Sequence, residues 1–232
     1  MERTRRMSLN CRPLDRLLEG GIEEGVITNV YGKSGTGKTN VCIQAVASCL
    51  DDGGRAVYID TEGGFSAERL LQMHGEESSL EDVIMMEPTT FEEQQDAFDR
   101  LESIVDEENI DLVVVDSLVA LYRIELPDEV SESNRELSRQ LSLLSKIARK
   151  NDMPVMVTNQ VYSSFESDEV TMVGKDVPTY WSKCLIKLEK RARNVRNAVL
   201  KKHRSRPEGL EEEFAIQNDG LSSADEEGIE IL

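Results

Sequence analysis

The sequence predicts an α/β fold in which a mostly parallel central sheet is flanked by helices. Short β-branched runs alternate along the chain with amphipathic helical patterns, which is the order expected for strands joined by helices. One run, Leu112 to Val115, is apolar throughout, as is typical of a strand at the centre of a parallel sheet. A glycine-rich segment, 32–39, lies between a predicted strand and a predicted helix, as in phosphate-binding α/β folds.

Each element follows from a local pattern. Apolar or β-branched runs predict strands at 26–31, 55–60, 82–86, 111–116, 154–159, 184–188 and 198–202. The run at 82–86 is short, so we expect an edge strand there, and the last two runs are expected to close the sheet. Helical spacing of apolar residues predicts helices at 40–50, 67–74 and 91–107, and one more that carries Leu137, Leu141, Leu144 and Ile147 on its buried face.

The length fits a single domain, which we expect to span residues 1–216. From Gln217 onward the chain is polar and acidic. The sequence therefore predicts a disordered tail over residues 217–232.

The glycine-rich segment matches the phosphate-binding pattern G-x-x-x-x-G-K-[ST] at every fixed position. Glycines let the backbone turn tightly and aim its N–H groups at phosphate oxygens. Lys38 can reach the outer phosphates, and the Thr39 hydroxyl can ligate magnesium. The alternative is a chance glycine-rich turn, but the flanking strand and helix favour a site for ATP and Mg²⁺. The predicted nucleotide-binding residues are Gly32, Lys33, Ser34, Gly35, Thr36, Gly37, Lys38 and Thr39.

Three polar residues stand at strand ends, where open parallel sheets bind their ligands. Asp116 ends an apolar strand and can hold the water shell of magnesium; the alternative is a helix N-cap. Glu62 follows the second strand and can activate the attacking water, or it is an exposed loop glutamate. Gln160 follows another strand and can hydrogen-bond the γ-phosphate, or it is a solvated amide.

Composition narrows the class of protein further. Asp and Glu total 45 against 27 Lys and Arg, which gives a formal net charge of −18 and suits a halophilic cytoplasm. The four cysteines form no Cys-x-x-Cys pair, so we expect reduced, buried thiols rather than a metal site. No signal-peptide or membrane-spanning run is evident, and we expect a soluble cytoplasmic protein with no membrane partner.

Several motifs follow the phosphate-binding loop in a fixed order: Asp60-Thr61-Glu62 with Phe65 and Glu68-Arg69, then 113–117, then 158–161. Together they resemble the core of RecA-like recombinases. Leu14-Asp15 with the segment 17–22 resembles the entry segment of the archaeal recombinase group. The resemblance covers roughly residues 8 to 216 and implies a RecA-like ATPase fold.

The resemblance also implies roles for single residues. Lys38 and Thr39 would bind phosphate and magnesium, with Asp116 supporting the metal. Glu62 would activate water, and Gln160 would sense the γ-phosphate. Arg69 would lie near the adenine.

The chain departs from a full archaeal recombinase in ways that put strand exchange in doubt. Such proteins carry a DNA-binding helical domain and a Phe-x-x-Ala segment that links subunits into filaments, and no phenylalanine here has alanine three positions later. The loop after Gln160 is acidic, although in the family that loop faces single-stranded DNA. The segment 202–206 replaces the Asp-x-Pro element that caps a neighbour's ATP. With these departures, the chain resembles the short paralogues of archaeal recombinases.

A basic strip stands out against the acidic background. We use this name for the Lys and Arg residues between 187 and 206, which are accompanied by a single acidic residue, Glu189. Its members are Lys187, Lys190, Arg191, Arg193, Arg196, Lys201, Lys202, Arg204 and Arg206. DNA phosphates are the partner that the resemblance suggests, and Lys201, Lys202, Arg204 and Arg206 are the predicted contacts. The strip could instead be solvated, be offset by nearby acids, or reach a neighbouring subunit's ATP as an arginine finger.

We therefore expect an ATP-binding accessory protein of homologous recombination and of the repair of DNA damage. It would bind single- or double-stranded DNA without sequence preference, hydrolyse ATP weakly without needing DNA, and assist or regulate the main archaeal recombinase. A Holliday-junction resolvase is a further candidate partner, and the protein would be a monomer or small oligomer. Two alternatives stay open, namely an active strand-exchange recombinase and a KaiC-like signalling ATPase.

Overall fold

The computed structural model describes residues 4–121, 130–163, 170–172 and 176–224. Its helices are α1 (Arg12–Leu17), α2 (Lys38–Asp51), α3 (Ala67–His74), α4 (Phe91–Glu108), α5 (Val130–Asn151) and α6 (Asp176–Trp181), with a 3₁₀ helix at Glu77–Asp82. Its strands are β1 (Arg6–Met7), β2 (Ile22–Glu23), β3 (Ile27–Gly32), β4 (Ala56–Asp60), β5 (Val83–Met86), β6 (Leu112–Asp116), β7 (Val155–Ser163), β8 (Val170–Met172), β9 (Cys184–Lys190), β10 (Val195–Lys202), β11 (Glu211–Gln217) and β12 (Gly220–Ser223).

A ten-stranded sheet in the order β12-β11-β10-β9-β3-β7-β6-β4-β5, with β8 paired to β7, forms the centre of the fold. Strands β9, β3, β7, β6, β4 and β5 are parallel to their neighbours in that order. Strands β10, β11 and β12 extend one side as antiparallel strands. The carboxyl ends of β3, β4, β6 and β7 therefore lie along one edge, where the predicted site residues stand.

The core has two layers because successive side chains of a buried strand point to opposite faces of the sheet. On one face Val114 packs with α2, whose residues 41–50 are buried. On the other face Val113 and Val115 pack with α4 and α5. Leu137, Leu141, Leu144 and Ile147 all belong to this second layer, so the predicted apolar face of α5 is confirmed.

All the predicted strands are present, but the prediction that the sheet closes after residue 202 is wrong. Strands β11 and β12 continue it through Ser223. The tail prediction is accordingly wrong for residues 217–223, because Leu221 is buried and its backbone N–H donates to Gln44 Oε1 at 2.9 Å. Residues 225–232 lie outside the described part of the chain, as do the acidic residues 166, 168 and 169 of the loop after β7.

The expectation that the cysteines are buried is confirmed. Cys11, Cys42, Cys49 and Cys184 are all buried and free. None of the described helices is both long and apolar enough to cross a membrane.

Candidate nucleotide site

The glycine-rich loop joins β3 to α2, and at two of its positions a side chain would be strained or would clash. Gly37 has a φ of 93°, a left-handed conformation that L-residues with a side chain rarely adopt. A Cβ at Gly32 would lie 2.6 Å from the Leu188 carbonyl oxygen and 2.8 Å from Thr36 Oγ1. Helix α2 has neither a capping side chain nor an acidic residue in its first turn. Its amino end therefore offers backbone N–H groups and positive dipole charge to an anion.

Lys38, the first residue of α2, lies across the loop that precedes it. Its Nζ donates to the carbonyl oxygens of Gly32 at 3.2 Å and Lys33 at 3.3 Å. Burial lowers the pKa of Lys38, and the carboxylates of Glu62 and Asp116 oppose that shift. The lysine and both acids are therefore close enough to interact electrostatically.

Asp116 lies at the end of β6, is 2% exposed and is surrounded by hydroxyl donors. Tyr58 donates to Oδ2 at 3.0 Å, and Thr158 donates to Oδ1. Burial raises the pKa of Asp116, although hydrogen bonds from Thr158, Thr39 and Tyr58 lower it. Since the Thr39 hydroxyl is close enough to lower the pKa of Asp116, the two predicted magnesium ligands are adjacent.

These two groups fit the ion that they were predicted to hold. Mg²⁺ in nucleotide sites takes one or two protein oxygens and completes its shell with waters and phosphate oxygens. The structure offers one carboxylate and one hydroxyl, and no cluster of three His, Cys, Asp or Glu side chains suited to a metal occurs among the described residues. The arrangement suits a metal held jointly by protein and nucleotide.

Glu62 lies in the loop after β4, and hydrogen bonds to the neighbouring carboxylate of Asp60 hold the backbone of that loop. Asp60 is 3% exposed and accepts backbone N–H bonds from Glu62 at 3.1 Å, Gly64 at 3.2 Å and Phe65 at 2.8 Å. The Glu62 side chain is exposed and makes no hydrogen bond to a described residue. The loop backbone is thus fixed, whereas the Glu62 carboxylate can rotate.

Thr61 connects this loop to the end of β6. Its hydroxyl donates to the Ser117 carbonyl at 2.7 Å and accepts from the Ser117 N–H at 3.0 Å. Its own N–H donates to the Asp116 carbonyl at 2.9 Å. These bonds hold the Glu62 and Asp116 segments in one arrangement.

Gln160 stands on β7 directly beside Gly32 of β3 in the parallel register. Its side chain is partly buried. This places its backbone next to the first residue of the phosphate-binding loop, the neighbourhood that a γ-phosphate sensor requires.

Arg69 of α3 lies beside the loop helix and is held by several partners. Its Nε donates to Asn40 Oδ1 at 3.0 Å, and its Nη1 donates to Gln72 Oε1 at 3.0 Å and to the Asn218 carbonyl at 2.8 Å. Burial lowers its pKa. Because Asn40 directly follows Thr39, Arg69 is close to the nucleotide site, and it also ties the β11–β12 turn to that site.

The basic strip does not form one patch. Arg196 opposes Lys190 and stands near the phosphate-binding loop, whereas Lys202 opposes Leu185 toward the amino end of β9. The predicted DNA contacts 201, 202, 204 and 206 therefore lie at the end of the sheet away from the loop of their own chain.

Three of these four cations are already engaged. Arg204 pairs with Glu23 at 2.9 Å, Arg206 pairs with Glu19 at 2.9 Å, and Lys202 Nζ donates to the Thr179 carbonyl at 2.6 Å. Lys201 is exposed and has no partner among the described residues. The structure thus gives weight to the alternative that acidic neighbours offset part of the strip.

Sequence reasoning assigned no role to the groups that position the site. Tyr58, Thr158 and Thr61 donate to or connect the predicted residues, and Asp60 shapes the Glu62 loop. One signal was present, since all four residues stand at or near the carboxyl ends of predicted strands, where parallel sheets gather their polar groups.

Comparison with known proteins agrees with this architecture. The Rad51 family model matches residues 2–224. The DNA repair and recombination protein RadB of Methanococcoides burtonii is 45% identical over 216 residues, which cover 91% of this chain and 95% of that protein. RadB of Methanococcus maripaludis strain C7 is 45% identical over 213 residues, covering 90% and 96%. A crystal structure of the RadB recombinase has a TM-score of 0.82 at 39% identity, covering 94% of this chain and 99% of that one.

These likenesses confirm the RecA-like α/β fold and the recombination and repair class that the motifs indicate. They also confirm the resemblance to a short recombinase paralogue. They do not support the KaiC-like or strand-exchange alternatives.

Proposed function

Because the chain belongs to the Rad51 family, with RadB proteins similar to it over nearly its whole length, we propose that it is an ATP-binding accessory protein of homologous recombination and DNA repair. One observation carries the nucleotide part of this proposal. The phosphate-binding loop, the Thr39–Asp116 pair and Glu62 converge at one edge of the sheet. Such a set binds a nucleoside triphosphate with its metal.

Each residue has a role in that site. The N–H groups of the loop and of the first turn of α2 bind the phosphates, and Lys38 moves its ammonium group from the loop carbonyls to phosphate oxygens. Thr39 and Asp116 hold Mg²⁺, which when bound neutralises developing phosphate charge. Glu62 accepts the proton of the attacking water, and Gln160 contacts the γ-phosphate.

We expect hydrolysis to be slow. A general base acts efficiently only when its orientation is fixed toward the water that it deprotonates. The Glu62 carboxylate is exposed and bonded to no described residue, so no contact holds it toward the attacking water. Binding of ATP, rather than its turnover, is the main property of this site.

Calorimetry tests the nucleotide assignment. Lys38→Ala removes the ammonium group without emptying an apolar pocket, so it should abolish Mg·ATP binding and leave the fold intact. Arg149→Ala, which removes an exposed cation on α5, is the matched control and should bind ATP normally. Equal ATP affinity of Lys38→Ala and wild type would contradict the assignment.

DNA is the proposed anionic partner of the basic strip, through Lys201, Lys202, Arg204 and Arg206. Lys201 carries the test, because its replacement breaks no contact to a described residue. Arg204 is a poor first choice, since its removal takes one of two cations from Glu23, which is 3% exposed. We expect Lys201→Gln to weaken DNA binding equally on all sequences and to reduce the salt slope by about one.

The same Arg149 position supplies the control for DNA, as Arg149→Gln makes an equal charge change on another surface. If Lys201→Gln and Arg149→Gln bind single- and double-stranded DNA alike, the strip is not a DNA contact. The main recombinase and a Holliday-junction resolvase are proposed as protein partners. Sizing the chain with each of them, with and without ATP, tests those associations.

A further inference from the structure

Arg196 is a cation of the basic strip that the proposed DNA contacts leave out. It lies on β10, is only 8% exposed, and stands against Gly37 at the start of α2. A Cβ built on Gly37 would lie 3.8 Å from Arg196 Nε and 3.9 Å from its Cγ. The arginine therefore lies immediately beside the phosphate-binding loop.

The guanidinium group is held at one end and unsatisfied at the other. Its Nη1 donates to the carbonyl oxygens of Ala192 at 3.4 Å, Arg193 at 3.3 Å and Val195 at 3.1 Å, which fixes it in the β9–β10 turn. Its Nε is buried without a hydrogen-bond partner. A buried N–H group that lacks a partner costs free energy unless a ligand satisfies it.

The electrostatic surroundings call for an anion. Arg196 forms no ion pair with any carboxylate among the described residues, whereas Arg204 and Arg206 each have one. It stands beside Gly37 at the positive amino end of α2, which has no acidic residue in its first turn, and it opposes Lys190 of β9. The interaction between a cation and the positive amino end of a helix is unfavourable by itself. The arrangement becomes favourable when a polyanion lies between the cation and the helix end.

We propose that Arg196 is a further nucleotide-binding residue, whose guanidinium group stabilises the polyphosphate of the nucleotide held by its own chain's loop. This rests on the proposed function, since it presumes that the loop binds ATP. It assigns to the β9–β10 turn a part in nucleotide binding, because the turn carbonyls of Ala192 and Arg193, with that of Val195 at the start of β10, orient the arginine.

Calorimetry with Mg·ATP on three variants tests the proposal. Arg196→Gln should weaken binding about ten- to hundredfold, the size expected for a lost charge-assisted hydrogen bond. Arg196→Lys should keep most of the affinity, because the positive charge remains although the three carbonyl contacts change. Arg193→Gln, an equal charge change at an exposed position of the same turn, should bind like wild type.

A merely structural arginine predicts a different pattern. If Arg196→Lys loses as much affinity as Arg196→Gln, the side chain only pins the turn and the proposal is overturned. It is also overturned if Arg196→Gln binds ATP as tightly as Arg193→Gln. If wild type and Lys38→Ala bind ATP equally weakly, the proposed function itself is wrong. If wild type binds ATP and only the comparison of the Arg196 variants gives the contrary result, the inference about Arg196 alone is wrong.

A measurement on wild-type protein covers the case in which Arg196→Gln does not fold. Because the Nε–H of Arg196 is buried, we expect its resonance to be observable by NMR with ¹⁵N-labelled arginine. Its resonance should shift when Mg·ATP is added to wild type and stay in place when Mg·ATP is added to Lys38→Ala. An unchanged resonance in ATP-bound wild type refutes the contact.

Discussion

Removing the hydroxyl of Tyr58 isolates one hydrogen bond to the predicted metal ligand. Tyr58 is fully buried, and its hydroxyl donates to Asp116 Oδ2 at 3.0 Å. Tyr58→Phe keeps the ring, which packs against Phe65 with ring centroids 4.9 Å apart. The carboxylate then loses one of the three hydroxyl donors that oppose the effect of burial on its pKa. The change therefore raises the pKa of Asp116 further above its ordinary value.

The magnitude follows from the charge of the acceptor. A hydrogen bond to a charged group contributes roughly 1.5 to 3 kcal/mol, against about 0.5 to 1.5 kcal/mol for a neutral pair. At neutral pH we expect Tyr58→Phe to lower the free energy of unfolding by roughly 1.5 to 3 kcal/mol, the range for a charged acceptor. For a chain of this length each kcal/mol changes the melting temperature by about 2–4 °C, so the decrease is about 3–12 °C.

The pH dependence gives the test its sign. The folded-state pKa of Asp116 is already raised, so its protonated form is favoured by folding, and the bond to Tyr58 weakens once the pH falls through that pKa. Denaturant unfolding should show a penalty for Tyr58→Phe that is largest at neutral pH and shrinks as the solution is acidified. Tyr31→Phe is the control, because the Tyr31 hydroxyl is bonded to no described residue. A penalty that equals the control's, or that does not change with pH, would refute the reasoning.

Three further outcomes are expected. Glu62→Gln should bind Mg·ATP normally and lose residual hydrolysis; turnover at the wild-type rate would show that Glu62 is not the base. Asp60→Ala leaves three loop N–H groups without their acceptor, so unfolding experiments should show a loss of roughly 2 kcal/mol or more, whereas a loss no larger than that of Glu62→Gln would contradict the loop's dependence on Asp60. Mg·ATP affinity should fall in acid as Asp116 becomes protonated, and this fall should begin at a higher pH than for an exposed aspartate, because burial raises the pKa of Asp116. Affinity should also fall in alkali as Lys38, whose pKa burial lowers, loses its proton. If calorimetry shows an affinity that does not change with pH, the result counts against both assignments.

The parallel half of the fold could be predicted from sequence because its signals are local. Each strand from β3 to β9 in the parallel part is a short apolar run, and the phosphate-binding loop fixes which strand precedes α2. Strand ends then locate Glu62, Asp116 and Gln160 without any knowledge of contacts, since parallel strands gather their carboxyl ends at one edge. The structure brings all three to that edge.

The antiparallel extension could not be predicted in the same way. Strand β11 begins with Glu211-Glu212-Glu213, which has no apolar alternation, and β12 is four residues long. The ion pairs of the basic strip were equally hidden from sequence reasoning, because Arg204 and Arg206 pair with Glu23 and Glu19, which are 181 and 187 residues away in the chain. Such contacts depend on the assembled sheet, and charge counting along the sequence treats the arginines as available to an external anion.

The antiparallel strands nonetheless bear directly on the nucleotide site. Ile216 of β11 approaches Gly37 so closely that a Cβ there would lie 2.9 Å from its Cδ1. Arg69 donates to the Asn218 carbonyl, and Gln44 of α2 accepts the Leu221 N–H. The loop helix is therefore held on one side by the parallel sheet and on the other by the last strands of the described chain. The start of α2, where the phosphate-binding loop ends, is thus positioned by the antiparallel strands as well as by the parallel sheet.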